Sequence, residues 1–236
     1  SGVKATDAIH QGAPAKVRIS FSGLMRDPVE NFGLPVGPPP VELSEAYAPG
    51  SAQREFDHSV LDVLLSTHVD QHGWVDYDGL ARDAAQLDTY IASLAGARFD
   101  ELGRNEKLAL RINAYNAFTL RLILDYYPLA SILEIPGDKR WDDRCWRVGG
   151  RLWSLSEIEH EQIRPKFIEP RAHFALNCAS IGCPKLRNEA YRGDRIDEQL
   201  ADQAHYIHSE KRWFVFDAAA DVLWLTQLYD WYRSDF

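Results

Sequence analysis

One long run of helical periodicity constrains this chain more than any other feature. Leu108, Ile112, Tyr115, Thr119 and Leu122 form a stripe from about Asn105, which can cap a helix, to Tyr127, where Pro128 stops it. Two shorter patterns precede it. Val60, Leu61, Leu64, Leu65 and Val69 recur at i, i+3, i+4 spacing, and Leu80, Leu87, Tyr90, Ile91 and Leu94 share a face that ends near Gly96. Between these two, Gly73-Trp-Val-Asp-Tyr-Asp-Gly79 reads as a short extended piece closed by an Asp-Gly turn.

Beyond Pro128 the period changes. Trp146-Arg-Val-Gly-Gly-Arg-Leu-Trp153 reads as a hairpin around Gly149-Gly150, and Ser154 with Glu157 forms a capping box for a helix that ends at Pro165. A buried strand His173–Asn177, a loop through Pro184 and a helix near Ile196–Ile207 follow. A last hairpin pairs 213–217 with 222–225. Helices first and short strands later predict an α+β fold, a helical N-terminal part packed on a small, mostly antiparallel sheet. Residues 1–54, rich in Pro and Gly turns such as Gly33-Leu-Pro-Val-Gly-Pro-Pro-Pro40, read as an extension that wraps or tethers a single domain over 55–236.

With 45% apolar and 11% aromatic residues, 236 positions supply a substantial core. The formal charge of −9 and the lack of any basic run exclude the usual footprint of a nucleic-acid or anionic-membrane partner. No apolar run approaches the roughly 20 residues of a membrane span. No signal peptide is visible after the opening Ser-Gly-Val-Lys, which has the look of a processed or engineered start. No phosphate loop, dinucleotide fingerprint, GxSxG or HExxH occurs, so no cofactor is implied. The oligomeric state is not readable.

The chemistry concentrates in His173-Phe-Ala-Leu-Asn-Cys-Ala-Ser-Ile-Gly-Cys-Pro184. It holds two of the three cysteines, Cys178 and Cys183, the third being Cys145. Three readings compete. Cys178 can be a nucleophile if an imidazole or a helix N-terminus lowers its pKa. Cys178 and Cys183 can form a disulfide around a short loop. His173, Cys178 and Cys183 can contribute to a zinc site, although no fourth ligand is in view. A small buried thiol is the bland alternative. On a regular strand His173 and Cys178 lie on opposite faces, so either the backbone bends there or another histidine serves as base.

Three further groups are candidates. On the helix after Ser154, Glu157, His160 and Arg164 stack along one side, with Glu159 pointing about 100° away from His160. A carboxylate–imidazole pair there suits a general base, and a solvated salt ladder is the plain reading. Asn113 and Asn116, three apart in an apolar helix, hold a loop or line a pocket, as poor helix formers with buried amides must. His68 with His72 and His205 with His208 have metal-compatible spacing without a third ligand, and surface histidines are expected.

These segments together resemble the family called domain of unknown function 547, from about Phe56 to the end of the chain. The carriers are Gly73-Trp-Val-Asp-Tyr-Asp-Gly-Leu80, Ile112-Asn-Ala-Tyr-Asn-Ala117, Leu155-Ser-Glu-Ile-Glu-His160 with Arg164, His173 to Ser180 with Cys183-Pro184, and the closing Trp-Tyr-Arg-Ser-Asp-Phe236. The resemblance implies a papain-like or transglutaminase-like cysteine enzyme, exported to the periplasm or secreted, acting as a hydrolase or acyltransferase on a peptide or a small amide or thioester. It implies Cys178 as nucleophile, His160 or His173 as base, Glu159 as orienting acid and Asn113 or Asn116 as oxyanion donor. Arg164 and Asn177 join Asn113 and Asn116 as expected binding residues. It also implies a further C-terminal element beyond Phe236. A non-catalytic ligand- or protein-binding domain, its pocket lined by the His, Asn and Cys motifs, is the rival expectation.

Overall fold

The structure is a computed structural model that describes residues 18–21, 38, 40–47, 54–179 and 183–236. The turns expected over 33–37 and 48–51, and loop residues 180–182, lie outside the described residues. After a strand β1 (Arg18–Phe21) come helices α1 (Ser59–His68), α2 (Tyr77–Arg82), α3 (Ala84–Leu94), α4 (Arg104–Tyr126) and α5 (Gly137–Trp141). Strands β2 (Cys145–Val148) and β3 (Arg151–Ser154) lead into α6 (Leu155–Glu157), a π-helical turn Ile158–Ile163 and 3-10 turns Arg164–Lys166 and Pro170–Phe174. The chain closes with α7 (Ile196–Ser209), β4 (Phe214–Asp217), β5 (Val222–Leu225) and α8 (Leu228–Trp231). This is an α+β fold in which helices dominate.

Two compact units divide it. One is Pro39–His205 with Ser234–Phe236, and the other joins Tyr206–Arg233 to β1. In the second unit β5 pairs antiparallel with β4, Val222 opposite Asp217, and parallel with β1, Val222 opposite Arg18.

The larger unit is built around α4. Its stripe predicts one buried face, yet Leu108, Ala109, Leu110, Ile112, Ala117, Phe118 and Leu122 are all fully buried. Leu108 and Leu110 stand about 200° apart on a helix, so apolar neighbours surround it. Asn105 does not cap this helix. The N-cap is Gly103, with no side-chain bond, and Asn105 falls within the first turn. At the other end Tyr127 is extended before Pro128, as the clash of a proline ring with a preceding helical residue requires. Among the described residues no helix is long and apolar enough to cross a membrane.

Local signals place the flanking elements. The expected Asp78-Gly79 turn is instead inside α2, because Asp76 caps that helix by accepting from Gly79 N at 2.9 Å. Gly149 and Gly150, at φ +55° and +81°, make the two-residue β2–β3 turn that positive φ at both positions demands. Their amides donate to Leu94 O and Ala95 O at 2.9 and 3.1 Å, fastening the hairpin to the end of α3. Trp146 of β2 stacks on Phe118 of α4 at 4.7 Å between centroids. The Ser154–Glu157 capping box forms as expected, with both reciprocal bonds present.

Candidate functional site

The stretch His173–Asn177 is not a strand. Pro170 opens a 3-10 helix through Phe174, and the Glu169 side chain caps it by accepting from Arg171 N at 3.3 Å. Proline fits a first helical position because its missing N–H has no partner there in any case. Apolar alternation over five residues does not distinguish that helix from a strand. Its consequence is that the strand-face argument separating His173 from Cys178 does not apply.

The chain leaving this helix is held by α4. Asn116 donates to Ala175 O at 3.0 Å and accepts from Asn177 N at 2.9 Å. Asn113 makes the same two-sided clamp on Tyr191, donating to its O at 2.7 Å and accepting from its N at 2.9 Å. Both amides therefore serve backbone, the loop-holding alternative read for them from the sequence. Asn177 likewise bonds backbone through both ends of its carboxamide. It donates to Pro184 O at 2.8 Å and accepts from Ala179 N at 2.9 Å, spanning the loop from both sides. Ala179 sits at φ +55°, in the left-handed region.

Across that loop Cys178 and Cys183 are joined in a disulfide, with Cα atoms 6.2 Å apart. Of the readings open for this pair, the disulfide is the one found. Cys178 in this form has no thiolate, so it is not the expected nucleophile, and a zinc site on His173, Cys178 and Cys183 is removed with it. The free thiol is Cys145, whose pKa burial, then Glu157 and Asp143, push up.

The remaining expected residues do meet, around a partner the sequence did not suggest. Asp235 accepts from Arg164 Nε at 2.6 Å and Nη2 at 2.9 Å, a two-pronged pair with side chains 1% and 0% exposed. His173 Nε2 lies 2.8 Å from Asp235 Oδ2. Burial raises the Asp235 pKa, but bonds from His173, Arg164 and Ser234 outweigh it and hold this carboxyl well below the usual range. An ionised carboxylate only accepts, so His173 donates through Nε2. Glu159 Oε1 stands 4.0 Å from His173 Nδ1, beyond hydrogen-bond reach. The carboxylate that bonds His173 is thus Asp235, not Glu159.

His160 is half-buried, and its Nδ1 accepts from Arg164 Nη1 at 3.1 Å, since guanidinium has donors only. Burial lowers the His160 pKa; Glu159 opposes that, and Arg164 and His173 reinforce it. The expected Glu157–His160–Arg164 ladder does not form. Glu157 turns back to Ser154 N at 2.7 Å, and the π turn re-aims His160 and Arg164 inward instead of into solvent.

His68 is buried rather than at the surface, with Nε2 2.9 Å from Asp83 Oδ2. His72, His205 and His208 are exposed. Among the described residues no group of three or more His, Cys, Asp or Glu is placed to hold a metal ion.

A cavity of about 470 Å³ lies on another side of α4, lined by Lys107 and Arg111 of that helix, Phe99, the hairpin residues Arg151 and Trp153, Lys166, and Tyr47 from the N-terminal segment. That segment belongs to the stretch 1–54 read from the sequence as a wrapping or tethering extension. It runs beside 165–168, with Ala46 N donating to Lys166 O at 3.1 Å and Ser44 Oγ to Pro165 O at 2.6 Å. Arg111 is 6% exposed; it donates to Tyr47 Oη at 2.7 Å and lies over the Phe99, Tyr47 and Phe167 rings at 4.5, 5.2 and 5.3 Å. Burial lowers its pKa against Tyr47, as burial and then Arg111 lower that of Lys107.

No curated protein and no solved structure shows a significant match to this chain. A family model described as "Protein of unknown function, DUF547" matches residues 99–207. That span holds α4, the hairpin, both clamping asparagines and the disulfide, while Tyr47 and Asp235 lie outside it. Over residues 99–207 the chain is similar to the DUF547 family.

Proposed function

We propose that this chain is a ligand-binding domain whose polar motifs build a scaffold instead of performing acyl transfer. The observation that carries the reading is the bond between Cys178 and Cys183, which takes away the thiolate that a cysteine enzyme attacks with. The engagement of Asn113 and Asn116 with backbone supports it, because both carboxamides are fixed to the chain on their donor and acceptor sides. The ligand's place is the 470 Å³ cavity beside Arg111, a size within the range of small-molecule sites. The disulfide also supports residence in an oxidising compartment, the periplasm or the exterior.

One observation favours a second reading. His173 paired with buried Asp235 has the carboxylate–imidazole arrangement of a general base. On that reading, reduction of the Cys178–Cys183 bond frees a nucleophile, and the reduced chain is a cysteine-dependent hydrolase or acyltransferase on amide or thioester bonds. Native alkylation with iodoacetamide at about pH 6 separates the two, because an ordinary thiol is nearly inert there. The binding reading expects a linked Cys178–Cys183 peptide by mass spectrometry and no thioester turnover before or after mild reduction. Fast labelling of Cys178, or turnover that Cys178→Ser abolishes, would overturn it.

A further inference from the structure

We propose that the cavity beside Arg111 is a site for a small organic anion bearing a phosphate-type group with two negative charges. This rests on the binding reading above and specifies its ligand. In a chain of net charge −9, Lys107, Arg111, Arg151 and Lys166 converge on one cavity, and none has a carboxylate within ion-pair distance among the described residues. Solvated surface cations need no partner, but Arg111 is 6% exposed. Its guanidinium has five donors, of which Tyr47 Oη takes one at 2.7 Å and Lys107 O another at 3.5 Å. Neither acceptor is a carboxylate, and ring contacts offset only part of the desolvation of a buried cation.

An anion in the cavity supplies the missing counter-charge. Three rings hold the Arg111 plane in place, so its fork is pre-organised for a two-pronged bond to phosphate or carboxylate oxygens. Lys107 lies four residues away on the same side of α4, and the Lys166 Nζ is directed by a 2.7 Å bond to Gln162 Oε1. Two carboxylates line the same cavity. Glu101 is already held by Arg54 at 2.5 Å and Arg98 at 3.0 Å, which leaves Asp100 against four cations. That surplus matches a phosphate monoester, which carries about −1.5 to −2 at neutral pH, better than a single carboxylate. Phe99 and Trp153 offer apolar wall for the organic part.

Calorimetric titration of the intact, disulfide-bonded chain with phenyl phosphate, inorganic phosphate and phenol tests this. Phenyl phosphate is expected to bind with a Kd of about 1 mM or tighter, weakening as salt rises, while neutral phenol does not compete. Lys107→Gln and Arg151→Gln change partly or fully exposed side chains and leave the fold intact; each is expected to weaken binding by about tenfold or more, the size of one charge-assisted bond. Inorganic phosphate sensitive to the same two variants supports the site as well. No binding of either phosphate, or binding that ignores both substitutions, overturns it. If phenyl phosphate binds with the expected sensitivity but is hydrolysed, the anion site stands and the non-catalytic reading fails, so the two ideas fall separately.

Discussion

Replacing Asp235 with Asn tests whether the His173–Asp235–Arg164 cluster holds the larger unit together. The substitution keeps shape and removes charge, so Arg164 keeps a carbonyl acceptor on one side and faces an amide donor on the other. Its side chain is 1% exposed and the pair is two-pronged at 2.6 and 2.9 Å, so solvent cannot replace the lost carboxylate. Breaking a buried pair from one side costs about 3–5 kcal/mol, because an uncompensated charge stays in the interior. Urea unfolding followed by tryptophan fluorescence reads this directly. With a slope near 2 kcal/mol per molar, the midpoint falls by about 1.5–2.5 M. Adding Arg164→Met removes the stranded charge and is expected to restore at least half of the loss, a coupling that additive effects cannot give. A single-variant loss under about 1 kcal/mol at unchanged slope would refute the argument, as would a double variant no more stable than Asp235→Asn alone.

The same carboxyl sets an acid limb. Its folded pKa lies below the unfolded value of about 3.9, so its stabilisation is complete well above pH 4 and is lost as pH falls through that value toward the folded one. Unfolding midpoints measured from neutral pH downward should drop there in the parent and stay flatter in Asp235→Asn. Gly73→Ala should destabilise by about 1–3 kcal/mol or more, since φ is +85° and a Cβ would stand 2.7 Å from Lys185 Cβ; a thermal melt within a degree of the parent would contradict this. Asn116→Ala strands Ala175 O and Asn177 N and should cost about 2–4 kcal/mol, with faster hydrogen exchange at Asn177; unchanged exchange there would count against the clamp.

What the sequence disclosed depended on how far apart the interacting residues are. The capping box at Ser154 and Glu157 and the Gly149-Gly150 turn are encoded within four residues, and both were legible. So were the last hairpin and the end of α4 at Pro128. The buried surroundings of α4 were less so, because Ala109, Ala114 and Ala117 carry little hydrophobic signal yet pack as closely as leucine. The 3-10 helix at Pro170 had a usable marker in Glu169-Pro170, outweighed by the apolar run that follows. Asp235 lies 62 residues from His173 and 71 from Arg164, and no spacing rule links a carboxylate to partners so distant. Arg111 immediately precedes the Ile112–Ala117 motif, but the two asparagines within it drew the chemical reading. A cation inside a buried helix was the stronger signal, since a lone Arg in an apolar run needs a counter-charge or aromatic faces as much as an Asn needs backbone.

The polar residues of α4 become intelligible once their angles are set out. Successive residues turn by about 100°, so Lys107 and Arg111 lie about 40° apart, and Asn113 and Asn116 about 60° apart. Arg111 and Asn113 are separated by about 200°, which places the two pairs on opposite sides of one rod. One side presents cations to the cavity, and the other grips the backbone at Ala175, Asn177 and Tyr191. A buried helix can carry so many polar groups only if each finds a partner. The asparagines find theirs within the chain, each donating one bond to backbone and accepting one from it. Among the described residues Arg111 finds rings, a hydroxyl and a carbonyl but no opposite charge. The asymmetry is the physical reason to assign structure to one side of the helix and a ligand to the other.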